Sequence, residues 1–173
     1  MLDDLKLPKG YDGLLYLAES TRNLQSIHSH HHVELEFNFI VQGTITYVVD
    51  GSRFTFSPRT LLWLFPGQEH QLVARSDNAR FYVAVFTPAL IRKACHLQKY
   101  EGLKHDPAEV KILNTLTSPR QFDLILKIMD SLMQGALDAE LLNRECGFGP
   151  TSDFRFSHAD PDALNAGLHY LLL

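Results

Sequence analysis

The chain has 173 residues, of which 45% are hydrophobic and 21% are charged, and its formal net charge is −4. Chains that stay disordered are poorer in apolar residues, so this composition predicts a folded globular protein. A domain that binds phosphate backbones should be basic, and we therefore expect no direct binding of DNA or RNA by these residues.

The cysteines and apolar runs indicate the compartment. Two cysteines, Cys95 and Cys146, form no disulfide framework, which fits a reducing environment. The first six residues lack the charged and apolar regions of a secretory signal. The longest strongly apolar run, residues 61–65, is too short to cross a membrane. A cytoplasmic, soluble protein without a membrane partner is the expectation.

Strand patterns fill the first ninety residues. Apolar and polar residues alternate with a period of two from Val33 to Gln42. Asp50-Gly51 suits a two-residue hairpin turn, because both central positions need a positive φ. Short strands separated by turns are typical of a sandwich or barrel, so the predicted fold class is mainly β. The predicted strands are 14–19, 33–42, 44–49, 53–56, 60–65, 70–74 and 80–86.

Helical patterns replace the strands after Pro88. Residues 89–97 have helical composition, and Ser118-Pro119 followed by Gln121 is a helix-start signature. From there a wide apolar stripe predicts a helix over 119–142, with Gly135 as a local weakness. Residues 147–157 are predicted to form a loop, and a last apolar helix opens at Asp160-Pro161.

One group of side chains could carry metal chemistry. His30, His32 and Glu36 share one parity along the chain, so in an extended segment they point to the same face. His70, from a later strand, would complete a set of three imidazoles and one carboxylate. Such nitrogen and oxygen donors suit zinc, iron, nickel, copper or manganese.

These residues also carry a resemblance to a known superfamily. His30, His32, Glu36 and Gly43 match the first motif of the cupins, and the segment 66–70, with Pro66, Gly67 and His70, matches part of the second. The resemblance implies a cupin double-stranded β-helix, which is a jelly-roll barrel, followed by α-helices.

A narrower resemblance adds a functional expectation. Segments 36–43, 49–51 and 61–70 look like the N-terminal sensor domain of AraC-type transcription regulators. This implies a cupin sensor barrel over 1–90, with a small effector inside. It also implies a helical region over 91–173 that forms a homodimer through helix 119–142. In that family a helix-turn-helix domain follows.

The chain departs from these patterns in three places. Arg59 and Thr60 replace the usual Gly and acidic residue before the buried strand, and Ala74 occupies a position that is often polar in catalytic cupins. No helix-turn-helix pair is apparent, so DNA contact is expected only through a domain absent from this chain. The last helix ends on Leu171-Leu172-Leu173 without a cap, as if more chain follows.

Several alternatives stay open. The face of strand 33–42 that carries Glu36 could be solvent-facing, in which case the barrel would hold no metal. Trp63 could be core rather than a ligand contact, and helix 119–142 could pack on its own barrel rather than on a second copy. The favoured function is not enzymatic; the alternative is a metal-dependent cupin dioxygenase or isomerase. The predicted metal ligands are His30, His32, Glu36 and His70, for Zn, Fe, Ni or Mn, and the predicted effector contacts are Asn38, Tyr47, Trp63 and Tyr82.

Overall fold

A computed structural model describes residues 5, 7, 9–19, 28–94, 112–113, 118–133, 137–138, 154–156 and 161–172. Ten strands and three helices lie within these residues. The strands are β1 (Gly13–Glu19), β2 (Leu35–Gln42), β3 (Ile45–Val49), β4 (Ser52–Phe56), β5 (Leu61–Leu64), β6 (His70–Arg75), β7 (Arg80–Phe86), β8 (Ile112–Leu113), β9 (Leu137–Asp138) and β10 (Phe154–Phe156). The helices are α1 (Pro88–Ala94), α2 (Pro119–Leu132) and α3 (Pro161–Leu172).

The strands form two antiparallel sheets. The larger sheet has the order β8-β5-β2-β7-β1-β10-β9, and the smaller has the order β4-β3-β6. Strand β2 lies inside the larger sheet, where Phe37 is opposite both Trp63 of β5 and Ala84 of β7. The predicted fold class, mainly antiparallel β followed by helices, is confirmed.

Each face of the larger sheet carries its own hydrophobic cluster. The inner cluster joins alternate residues of the larger sheet, such as Ile40 and Val83, to Ile45 and Leu72 of the smaller sheet. The outer cluster contains residues of the opposite parity, such as Phe39. Both faces of β2 are therefore buried, and the alternative of a solvent-facing side for Glu36 is wrong.

The helices cover the outer face of the larger sheet. Leu90 of α1, Met129 of α2 and Leu168 of α3 belong to the same cluster as Leu15 and Phe39. Burying such a stripe stabilises a helix more than its intrinsic propensity does, by about 25 cal/mol per Å² of apolar surface removed from water. The apolar stripe of α2 thus packs against the barrel of its own chain.

Hydrogen bonds also hold helices to the barrel. On α2, Asp130 accepts a hydrogen bond from the Tyr82 hydroxyl of β7. On α3, the Asn165 side chain accepts from the Asp12 amide at 2.8 Å and donates to the Gly10 carbonyl oxygen at 2.9 Å. None of the helices in the described ranges is long and apolar enough to cross a membrane.

Two sequence predictions in the second half were wrong in part. The helix predicted over 119–142 ends at Leu132, and residues 137–138 form β9 instead. The loop predicted over 147–157 contains β10, whose Phe156 is opposite Tyr16 of β1. This strand pairing satisfies the backbone groups along an edge of β1, which local sequence patterns do not reveal. Parts of both predicted segments, and residues 95–97 of the first predicted helix, lie outside the described residues.

The start of β1 passes too close to its neighbours for any side chain. A Cβ atom on Gly13 would collide with the Val85 carbonyl oxygen of β7 and with the Leu168 side chain of α3. We therefore predict that Gly13→Ala lowers the free energy of unfolding by about 1–3 kcal/mol, the usual cost of overpacking, or by more if the β1–β7 pairing opens. Urea unfolding followed by circular dichroism measures this change.

Gly51→Asn is the matched control for that substitution. Gly51 has a φ of 78° in the β3–β4 turn, and a Cβ atom there meets nothing within 4 Å. Asparagine tolerates this backbone conformation better than most residues, so we expect only a small loss of stability. Equal losses for the two variants would contradict the close approach at Gly13.

Candidate functional site

Backbone hydrogen bonds hold the segments that carry the histidines next to each other. His30 and His70 exchange two of them, His30 N to His70 O at 3.1 Å and His70 N to His30 O at 2.8 Å. The Gly67 amide donates to the His32 carbonyl oxygen at 2.9 Å. The segment that precedes β2 is thereby fixed against the start of β6. His30 and His32 lie in that segment and not in β2 itself, although their common parity with Glu36 is retained.

The predicted metal ligands converge at one end of the space between the sheets. His30, His32 and His70 each offer a ring nitrogen, and these atoms all lie within 4.8 Å of one another. Glu36 Oε2 is 3.3 Å from His32 Nε2 and 3.9 Å from His70 Nε2. His32 and His70 are each 2% exposed, and Glu36 is 7% exposed. The three histidines could therefore hold a metal ion, with the carboxylate beside them.

The opposite ring nitrogens of the histidines are all engaged by backbone oxygens. Nδ1 of His30, His32 and His70 lies 2.8, 3.0 and 2.9 Å from the carbonyl oxygens of His28, Glu34 and Gln68. A carbonyl oxygen only accepts, so each Nδ1 carries the proton, which leaves Nε2 as the donor atom for a metal. His70 Nε2 is buried without a hydrogen-bond partner. Such backbone bonds are the usual way in which metal-binding imidazoles are oriented.

Charge interactions set the protonation of the group in the metal-free chain. Burial opposes ionisation of Glu36, but the hydrogen bond from His32 and the charges of His70 and His32, with a hydrogen bond from Asn38, lower its pKa to about 2. Burial lowers the pKa of His32, yet Glu36 and Glu34 outweigh it and raise the pKa above its ordinary value. Burial lowers the pKa of His70 and is the largest effect there; the charge of Glu36 opposes it, and the charges of His30 and His32 add to the lowering.

Two of the predicted effector contacts adjoin this group. The Tyr47 hydroxyl of β3 donates to Asn38 Oδ1 at 3.2 Å, and Asn38 Nδ2 donates to Glu36 Oε1 at 2.7 Å. Burial, and then the charge of Glu36, raises the pKa of Tyr47 well above its ordinary value, so its hydroxyl stays a donor. Asn38 and Tyr47 are thus brought together with the metal ligands.

The other two predicted contacts lie on the opposite face of the larger sheet. Trp63 packs against Phe37 and Phe86 in the outer cluster, with ring centroids 4.8 and 6.1 Å apart. Tyr82 is in the same cluster and bonds to Asp130 of α2. The structure therefore does not bring these two side chains to the four donors.

Two further residues of the site were missed by the sequence patterns. Tyr16 of β1 faces the inner cluster, and burial, then the charge of Glu36, raises its pKa well above the ordinary value. Tyr16 has the same parity as Leu14 and Ala18, which indicates the inner face. It lies in an apolar run, however, where a tyrosine does not stand out as a site residue. Glu34 is buried, with Oε2 3.6 Å from His32 Nδ1, although a glutamate beside a strand is usually a surface residue.

A comparison with protein families gives one match. Residues 13–144 match the family model for the AraC-like ligand binding domain. That range contains most of the barrel and all four candidate metal ligands. No curated protein sequence matches the chain significantly.

Solved structures that match the chain include ToxT and a cupin barrel protein. An apo ToxT variant from Vibrio cholerae aligns over 92% of this chain and 54% of its own, with 11% identity and a TM-score of 0.53, which supports the fold. ToxT with a bound unsaturated fatty acid aligns over 68% and 45%, with 12% identity and a TM-score of 0.49. A Cupin 2 conserved barrel domain protein from Salinispora arenicola aligns over 47% and 66%, with 26% identity and a TM-score of 0.37. The chain spans less than two thirds of each of these proteins.

The site generates a prediction for the metal-free chain. Because Glu36 stabilises the protonated form of His32 and burial dominates at His70, His32 should titrate above the ordinary histidine pKa of about 6.5 and His70 below it. In Glu36→Gln the His32 pKa should fall and the His70 pKa should fall further. NMR titration of labelled histidine rings in the presence of a chelator measures both, with resonances assigned from single His→Gln variants.

The order of the two pKa values is the critical observation. A His32 value at or below that of His70, or no response of either ring to Glu36→Gln, would contradict the carboxylate contacts.

Proposed function

This chain belongs to the family of AraC-like ligand binding domains, and we propose that it is the effector-sensing and dimerisation domain of an AraC-type transcription regulator. The observation that carries this proposal is the group formed by buried His32, Glu36 and His70 with half-buried His30 in the family's barrel. Polar side chains in a barrel interior cost free energy unless they are paired, which favours a role in binding for them.

A divalent transition metal is the proposed cofactor. His30, His32 and His70 would hold zinc, iron, nickel or manganese through Nε2, and Glu36 would contribute a carboxylate oxygen. The fit is supported by the unpartnered, buried Nε2 of His70 and by the backbone bonds that fix each Nδ1. When bound, the metal supplies a Lewis acid to which an oxygen atom of a small effector can coordinate.

Sensing requires that the effector favours one arrangement of the helices over another. Strand β7 connects the proposed metal site with the helices. Its Val85 lies opposite Glu36 of β2 on the inner side, and its Tyr82 bonds to Asp130 of α2 on the outer side. Arg80 reinforces this contact, with Nη2 3.7 Å from Asp130 Oδ1 and Nε 3.2 Å from a carboxylate oxygen of Glu19.

The proposed sensing and dimerisation functions belong to consecutive parts of the sequence. Residues 1–90 would supply most of the sensor barrel, whose larger sheet also includes β8, β9 and β10. Residues 91–173 would supply the dimerisation surface through the helix that begins at Pro119. Leu124 of that helix is 52% exposed, whereas Met129 is buried in the outer cluster. The helix thus packs on its own barrel with one side and offers an apolar residue on the other. DNA contact belongs to a helix-turn-helix domain beyond this chain, in agreement with its net charge of −4.

We propose that the domain binds without catalysing a reaction and acts in the cytoplasm. Asn38 is hydrogen-bonded to Glu36, and Tyr47 is hydrogen-bonded to Asn38, which suits a fixed binding site. The metal-dependent cupin enzyme remains the alternative, because three imidazoles and a carboxylate also serve such enzymes. Turnover that depends on added iron would favour the enzyme.

Metal binding gives the first test. Chain that has been stripped with a chelator should bind one equivalent of Zn²⁺, and His70→Ala should weaken binding by at least about 10- to 100-fold, because it removes a ligand rather than a supporting group. Isothermal titration calorimetry with Zn²⁺ measures the affinity, on protein purified without an affinity tag.

His169→Gln is the control for histidine loss. His169 lies on α3 and not in the donor group, so its replacement should leave zinc affinity unchanged. A wild-type chain that binds no metal after reconstitution would reject the metal, as would equal losses in the two variants.

Dimerisation gives the second test. We expect the chain to sediment as a dimer, and Leu124→Asp to shift it to monomer, because a carboxylate would have to be buried in the interface. Since a sensor couples its ligand to its assembly, Zn²⁺ should change the dimer dissociation constant of the wild type. Analytical ultracentrifugation with and without Zn²⁺ measures both.

Lys127→Asp is the control on the same helix. Lys127 is exposed one turn from Leu124, and its replacement also introduces an aspartate. We expect Leu124→Asp to retain zinc binding while it loses the dimer, and Lys127→Asp to weaken the dimer less. A monomeric wild type at high concentration, or a dimer constant that zinc leaves unchanged, would argue against the sensing role.

A further inference from the structure

Asn38 occupies an unusual place for an amide side chain. It is 0% exposed, in the middle of β2, with its side chain on the inner face. A buried amide without partners costs about 1–3 kcal/mol, so its hydrogen bonds identify its role. Those bonds run to Glu36 on one side and to Tyr47 on the other.

The donor and the acceptor of each of these two hydrogen bonds follow from the charge of Glu36. An ionised carboxylate only accepts, so Asn38 must present its NH₂ group to Glu36 Oε1, at 2.7 Å. Its carbonyl oxygen then faces the other way and accepts from the Tyr47 hydroxyl at 3.2 Å. Glu36 therefore determines which way the amide points. The Tyr47 hydroxyl donates to the amide oxygen and so holds the amide in that position, and the amide in turn holds Oε1 of the carboxylate.

The two carboxylate oxygens of Glu36 therefore have different neighbours. Oε1 is held by Asn38, whereas Oε2 lies 3.3 Å from His32 Nε2 and 3.9 Å from His70 Nε2. We propose that Asn38 and Tyr47 are positioning residues that hold Glu36 so that Oε2 alone faces the imidazoles of His32 and His70. The carboxylate would then offer one oxygen to a bound metal; this inference rests on the metal site proposed above.

The hydrogen bonds from Tyr47 to Asn38 and from Asn38 to Glu36 also connect the two sheets at the site. Glu36 and Asn38 are on β2 of the larger sheet, whereas Tyr47 is on β3 of the smaller sheet. Strand β3 pairs with β6, where Val49 is opposite His70. The hydrogen bond between Tyr47 and Asn38 therefore ties the sheet that supplies the carboxylate to the sheet that supplies His70.

The test uses the full chain, stripped of metal and titrated with Zn²⁺ against a chromophoric chelator and with Co²⁺ for its visible absorption. Tyr47→Phe removes one hydroxyl and keeps the ring, and it should weaken Zn²⁺ binding about tenfold. Asn38→Leu preserves the volume but loses both bonds, and it should weaken binding by about 10- to 100-fold. In both variants the Co²⁺ spectrum should change, because a freed Glu36 can offer its second oxygen.

A double-mutant cycle separates positioning from general stability. In a Glu36→Gln background there is no carboxylate to orient, so Tyr47→Phe should change the zinc affinity by less than about twofold. A merely structural role of Tyr47 would give the same factor in both backgrounds. Tyr11→Phe is the matched control, since Tyr11 packs against the outer cluster and should leave affinity and spectrum unchanged.

The outcomes distinguish this inference from the metal site itself. If the wild type binds no Zn²⁺, the metal site and the inference both fail. If the wild type binds Zn²⁺ and His70→Ala weakens it, but Tyr47→Phe keeps the wild-type affinity and Co²⁺ spectrum, the positioning role alone is rejected. If Asn38→Leu does not fold, Tyr47→Phe and its cycle decide the question.

Discussion

The burial of both faces of β2 is the constraint on which the site depends. Helices cover its outer face and the smaller sheet covers its inner face, so Glu36 has little access to water. An isolated ionised carboxylate in that position would be prohibitively unfavourable. Two imidazoles and an amide surround it instead, and they hold its pKa at about 2. The protein thus keeps a buried carboxylate charged beside the ring nitrogens of His32 and His70.

Local sequence patterns predicted the elements whose burial follows a simple period. The seven strands before residue 86 and the starts of α2 and α3 follow from alternation, turn residues and proline positions. The end of α2 and strand β10 did not follow, because they depend on partners distant in sequence. Residues 154–156 are a strand because β1 presents an edge to them, and nothing within those three residues records that edge.

The site also combines contacts that local sequence predicts with contacts that depend on residues distant in sequence. The spacing of His30, His32 and Glu36 was sufficient to place them together, since short-range parity determines their common direction. The hydrogen bond between Asn38 and Tyr47 required the position of β3 across the barrel, which no pattern within one strand contains. Trp63 and Tyr82 were predicted as effector contacts, but the register of β5 and β7 against β2 puts them on the helix side.

The register of β7 also gives Tyr82 a place in the proposed sensing mechanism. A strand is a stiff unit whose alternate residues face opposite sides, so β7 cannot move its Val85 without moving its Tyr82. Val85 lies opposite Glu36 of β2, and Tyr82 bonds to Asp130 of α2, the helix that also carries Leu124. A shift of the inner wall therefore reaches the proposed dimer surface through one strand and one hydrogen bond. Packed elements of this kind carry coupling because they adopt discrete arrangements rather than deforming continuously.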